Sequence, residues 1–102
     1  MKTYDIVISD AALALLDAHM VFLAKVNGNA ARHTMTDILN SIESLGKNPN
    51  RYPVYESPFI SHNRYRKMLC AKRYLIIYEV LDDTVFVDYV LDCRQDYEWM
   101  LV

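Results

Sequence analysis

Apolar positions along this chain change period, and each change marks an element. Tyr4, Ile6 and Ile8 alternate with Asp5, Val7 and Ser9 over Tyr4–Ser9, the period of two that predicts a strand. From Ala11 the period lengthens. Leu13, Leu16, Met20 and Leu23 fall on one helical stripe, and Leu15, Phe22 and Val26 on a second beside it. Ser9 and Asp10 supply N-cap chemistry for this helix, and Asn27-Gly28-Asn29 tolerate the left-handed backbone of a C-cap. A second helix is predicted from Ala30 to Leu45. Ala31, Met35, Ile38, Ile42 and Leu45 recur on one side, with Arg32, His33, Asp37, Asn40 and Glu43 elsewhere on the wheel. Gly46 stops it and Pro49 seals the stop. Two amphipathic helices joined by so short a turn make an antiparallel hairpin, whose shared apolar side needs a sheet to cover it.

Residues 47–63 hold all 3 prolines (Pro49, Pro53, Pro58) and several Asn and Ser, so they read as a loop. Tyr52, Tyr55 and Phe59 make it too aromatic for a free linker. Beyond it the pattern is that of strands. Arg64–Cys70 alternates weakly, whereas Tyr74–Leu81 is almost continuously apolar, as a central strand covered on both faces would be. Asp82-Asp83 is a turn pair, and Thr84–Leu91, rich in Val, Phe and Tyr, is the return strand. Asp92–Val102 reads as a short helix or an extended arm. The fold class is therefore α+β: an N-terminal strand, a two-helix hairpin, then an antiparallel three-strand meander with a short C-terminal segment.

Composition narrows the class. A chain of 102 residues with 53% hydrophobic content suits one domain, 1–102, with its own core. Its 2 cysteines, Cys70 and Cys93, are too few for a disulfide framework and read as small buried thiols in a reducing compartment. Lys2 is followed at once by a strand pattern, not a signal peptide, and Ala11–Val26 is too short and too interrupted to span a bilayer. The expected location is the cytoplasm.

The net charge of −2 argues against a nucleic-acid binder taken globally, but the charges are segregated. Arg64, Arg66, Lys67, Lys72 and Arg73 cluster within ten positions. From Glu79 onward Arg94 is the lone base among Glu79, Asp82, Asp83, Asp88, Asp92, Asp96 and Glu98. A partner within a Debye length responds to the local patch and not to the sum.

Few chemistries fit. His19, His33 and His62 share no face with one another or with the thiols, so no metal site is expected, and His19 and His33 read as solvent-facing helix residues. With 2 glycines in the chain, no phosphate-cradling loop can be built, and no cofactor is called for. The basic strand is the main candidate, and Arg94, which could point back over the sheet or simply pair with Asp92, Asp96 or Glu98, is the other residue of interest. Alternation puts Arg64 and Arg66 on one face, with Tyr65 and Lys67 on the other, suiting bidentate phosphate contacts beside a stacking ring. A charged edge strand that merely blocks aggregation has the same appearance.

Residues 64–97 carry motifs: Tyr65-Arg66, then Tyr74-Leu75-Ile76-Ile77-Tyr78-Glu79-Val80, then Asp82-Asp83, then Arg94-Gln95-Asp96-Tyr97. This succession resembles the C-terminal half of RelE/ParE toxins of type II toxin–antitoxin systems, also called plasmid stabilisation toxins. The preceding strand, hairpin and proline-containing loop fit the same order. The resemblance implies a bacterial toxin neutralised by a cognate antitoxin and aimed at DNA gyrase (ParE-like) or at mRNA on the ribosome (RelE-like). An endoribonuclease of this kind works without metal, through cationic and acid–base groups. Arg66, Arg94 and Tyr97 match the catalytic positions if the chain is an RNase. Arg64, Arg66, Lys67, Arg73, Arg94 and His62 would in either case meet the target. Met68 and Leu75 stand where RNase members keep a lysine and an arginine, so the expectation is ParE-like inhibition of gyrase. Ribosome-dependent cleavage, or a degenerate module that only binds antitoxin, are the alternatives. The wide apolar face of the first helix suits an antitoxin groove or a homodimer, and is equally what a doubly covered core helix shows.

Overall fold

Ser9 fixes the point where strand becomes helix. Its Oγ accepts the Ala12 N–H at 3.0 Å and caps the helix, while its own O–H donates to the Asp88 carbonyl at 3.2 Å. The computed structural model describes residues 2–58 and 63–93. Through these the chain runs as β1 (Asp5–Ile8), α1 (Asp10–Val26), α2 (Gly28–Ser44), a 3-10 turn (Pro49–Arg51), β2 (Val54–Tyr55), β3 (Tyr65–Cys70), β4 (Tyr74–Leu81) and β5 (Thr84–Asp92). The sheet order is β1-β5-β4-β3-β2, antiparallel except where β1 runs parallel to β5. The expected α+β order is present, with one strand more than the pattern announced. β2 was hidden in the loop because its two residues pair only with Arg66 and Tyr65 at the start of β3.

One residue serves both helices. Asn27 has extended backbone (φ −159°), donates its N–H to the Leu23 carbonyl, and accepts from the N–H groups of Asn29 and Ala30 at 3.0 and 3.1 Å. The expected left-handed cap is thus absent, and Gly28 opens α2 instead. Gly46 is needed for a different reason. Tyr4 donates to its carbonyl at 2.7 Å, and a Cβ there would lie 3.2 Å from the Tyr4 carbonyl oxygen and 3.3 Å from that of Glu43.

The helical hairpin covers one face of the sheet. Ala12, Leu16, Ile38, Ile42 and Leu45 pack there against Met68, Cys70, Tyr74, Ile76, Tyr78, Val85, Val87 and Val90. The stripe differs by one position from the expected one. Ala12, Leu16 and His19 are the buried residues of α1, and Leu13 is 47% exposed. The other face carries a second cluster of Tyr65, Ile77 and Leu91, with Tyr55, Leu75 and Tyr89 against it. β4 is therefore covered on both sides, as its unbroken apolar run implied.

His19 corrects an expectation. It is buried, and its Nε2 lies 2.8 Å from the Val90 carbonyl oxygen. β1 leaves the edge of β5 after the Ile8–Val87 pair, so the Val90 carbonyl lacks a strand partner. α1 crosses this stretch and His19 satisfies it. Since a carbonyl only accepts, Nε2 carries the proton. The thiols also differ from expectation. Cys70 is buried with its pKa pushed up to about 11 by burial, but Cys93, at the end of β5, is exposed.

Candidate target-binding site

β3 pairs with β4 from Arg66–Tyr78 to Cys70–Tyr74, which sets the face of each basic residue. Arg66 shares the helix-side face with Met68 and Cys70. Its Nη1 donates to the Tyr52 carbonyl at 2.6 Å. Arg64 lies one residue before the strand, where alternation no longer governs direction. Its guanidinium turns to the opposite face, stacks over the Tyr65 ring at 4.8 Å, and donates Nε–H to Glu79 at 3.2 Å. The two arginines expected side by side are therefore on opposite faces.

A bulge builds the rest of that second face. Ile77 pairs with Tyr89 but Tyr78 pairs with Val87, leaving Asp88 as the extra residue of β5. Its carboxylate accepts the Tyr65 O–H at 2.9 Å. Burial, and then this bond, raise the Tyr65 pKa far above the ordinary phenol value. Arg64 with Glu79, and Tyr65 with Asp88, thus make two polar pairs joined where Arg64 covers the Tyr65 ring. Lys67 shares this face, and neither it nor Lys72 makes an ion pair among the described residues.

Arg73 is also committed. Its Nε and Nη2 reach one oxygen of Asp92 at 3.0 and 2.7 Å, and it stacks over Tyr74. Asp92 is 2% exposed, so this pair is internal. The link holds the β3–β4 turn to the end of β5, where the Cys93 N–H donates to the Arg73 carbonyl at 2.8 Å. The turn itself is strained: Ala71 (φ 50°) and Lys72 (φ 61°) both adopt left-handed backbone without being Gly or Asn.

Sequence reasoning missed Arg51. The 3-10 turn sets it next to Tyr52, whose ring it covers at 4.8 Å and whose hydroxyl accepts its Nη2–H at 2.8 Å. The segment is tied to the sheet because the buried Tyr78 donates its O–H to the Pro49 carbonyl. Burial pushes the Tyr78 pKa up to about 12, and the charges of Arg66 and Arg51 pull it the other way. Arg51 and Arg66 both donate to Tyr52, one to its hydroxyl and one to its carbonyl. Neither is ion-paired among the described residues. His62, Arg94 and Tyr97, three of the expected site residues, lie outside the described residues.

A model of the ParE toxin of type II toxin–antitoxin system, parDE, matches residues 6–97. The chain belongs to the ParE toxin family. A solved structure described as the chromosomal ParDE toxin–antitoxin system from P. aeruginosa superposes with a TM-score of 0.73, covering 88% of this chain and 96% of that one. At 16% identity, that likeness speaks for the fold. No curated protein matches the sequence. Family membership makes the chain the toxin component of such a system, with a cognate antitoxin as partner.

One further surface lies on the helical hairpin. Met20, Val21, Ala24, Gly28, Ala31, Arg32 and Met35 line an open groove of about 340 Å³ between α1 and α2, and Phe22 and Val26 of α1 are also exposed, by 58% and 77%. No helix among the described residues is long and apolar enough to cross a membrane. Among the same residues no cluster of three His, Cys, Asp or Glu could hold a metal ion.

Proposed function

We infer that this toxin acts by binding, as a ParE-like inhibitor of DNA gyrase in the cytoplasm. Position 68 carries the reading. Where RNase members keep a second strand cation, Met68 is 2% exposed and packed beneath the helices. Leu75, in place of the paired arginine, joins the apolar cluster of the other face. Arg64 and Arg73, the other described arginines of this stretch, are held by Glu79 and Asp92, while Lys67 lies on the opposite face from Arg66 and Lys72 in the turn. Preorganised charge is what stabilises a phosphorane-like transition state, and removing one such donor typically costs about 3 kcal/mol. Arg66 is left as a contact residue for a protein target. The exposed apolar stripe of α1 supports burial against a protein, either the antitoxin or a second copy.

Pulse-induced expression tests this directly. The expected result is gyrase–DNA breaks with an SOS response, suppressed by the cognate antitoxin and weakened by Arg66→Ala in a variant that still melts cooperatively. Transcripts cut at the ribosomal A site, with intact DNA, would overturn it in favour of the ribosome-dependent nuclease.

A further inference from the structure

We propose that Arg51 and Arg66, set on either side of Tyr52, form a two-guanidinium clamp for a carboxylate of an acidic protein segment. The inference rests on the reading above that the partners of this toxin are proteins. Its basis is an imbalance of charge. Arg64 and Arg73 each meet a carboxylate, but Arg51 and Arg66 meet only the hydroxyl and the carbonyl of Tyr52. Each keeps most of its N–H donors unused among the described residues. Two like charges, the exposed Arg51 and the half-buried Arg66, are held on one tyrosine with no carboxylate between them among the described residues.

The corner is also fixed in place. Arg66 is on a paired strand, Tyr52 packs against the core, and the Tyr78–Pro49 bond anchors the turn that bears Arg51. Forked donors that are already oriented bind an oxyanion with little loss of side-chain freedom.

A carboxylate suits the surroundings better than a nucleic-acid backbone. Binding a polyanion at physiological salt takes several neutralised phosphates, and its salt dependence follows their number. Beside Tyr52 two guanidiniums are without a carboxylate among the described residues, and the chain carries a net charge of −2. The far face of the same sheet presents Glu79 and Asp88. One discrete acid fits such a site, and a chain of phosphates does not.

The test uses the full chain and three probes at low salt: a capped peptide of alternating Asp and Ala, a single-stranded oligonucleotide of equal formal charge, and inorganic phosphate. The peptide is expected to shift the Nε–Hε NMR signals of Arg51 and Arg66. Arg51→Gln and Arg66→Gln should each weaken it threefold or more, while Lys25→Gln leaves it unchanged. Arg66→Lys, which keeps the charge and loses the fork, should fall between. No shift at either arginine overturns the clamp, and so does tighter binding of the oligonucleotide or of phosphate at the same signals. Failure here is separable from failure of the gyrase reading. A toxin that breaks DNA without binding the peptide refutes only the clamp, and one that cuts transcripts but keeps the shifts refutes only the target.

Discussion

Arginines at the two ends of β3 are treated in opposite ways. At the turn end, Arg73 is closed onto a buried carboxylate and stacked on Tyr74; at the other end, Arg66 and its neighbour Arg51 are held by oxygens of Tyr52 that carry no charge. The first arrangement stabilises the fold and uses up its charge locally. The second positions charge and leaves it available. Proximity in sequence conceals this, because all three side chains belong to one basic stretch and its preceding loop. Which of them can meet a partner depends on where the carboxylates of β4 and β5 fall.

The internal pair gives the largest expected effect. Arg73→Ala leaves the Asp92 carboxylate buried without its guanidinium, and breaking such a pair costs about 3–5 kcal/mol. Urea unfolding should show this as a lower midpoint at unchanged slope. Replacing both residues by leucine should recover most of the loss, since two apolar groups leave no orphaned charge. A single mutant as stable as the parent would mean that the turn end is no more structural than the loop end.

His19→Leu comes next. It removes the donor to the Val90 carbonyl on a buried edge of β5, an omission worth about 1–3 kcal/mol. Amide exchange in β5 should speed up locally, while β2 and the Tyr52 corner keep their protection.

The histidine also shows what the sequence could and could not reveal. Strand and helix periods were legible because each rests on neighbours within a few positions, and Ser9 as a cap is equally local. His19 looks like a surface residue in sequence because its partner lies 71 positions away and exists only where β1 ends short of β5. Alternation sets Arg64 beside Arg66 only within a strand, and Arg64 lies just outside one. Arg51 offered no signal of its own, since the Tyr78–Pro49 bond that brings its turn to the sheet spans 29 positions. Met68 and Leu75 are the reverse case: the departures were visible in sequence, and the fold supplies their apolar surroundings.

Tyr78→Phe sharpens the loop end of the comparison. Losing the bond to Pro49 should cost about 1–2 kcal/mol. It should also change the response to alkali. The pKa of Tyr78 is about 12 in the folded chain, against about 10 when unfolded, so its stabilisation is complete below pH 10 and is lost as pH climbs toward the folded value. The phenylalanine variant should therefore lose less stability than the parent between about pH 10 and 12, measured by thermal melts. Equal slopes would place the alkaline loss elsewhere, with Tyr65 the next group to test.

Relieving strain at the turn end should have a smaller and opposite effect. Lys72→Gly places a residue without Cβ at φ 61° and should stabilise by about 0.5–1 kcal/mol, despite the greater freedom of the unfolded chain. Binding at Arg66 should not respond, because the turn lies at the far end of the strand.

The smallest expected change is at Arg64. Its pair with Glu79 joins a half-exposed guanidinium to a carboxylate in contact with solvent, and exposed pairs of this kind contribute about 0–1 kcal/mol. Arg64→Ala should scarcely move the unfolding midpoint. Its value lies in toxicity. If neutralisation by Glu79 is what removes Arg64 from the contact surface, then Arg64→Ala should stay toxic while Glu79→Gln, which frees the guanidinium, alters target affinity. Loss of toxicity in Arg64→Ala at unchanged stability would show that an ion-paired arginine on the far face still meets the target. The division between committed and available cations along β3 would then have to be drawn by exposure and not by partner.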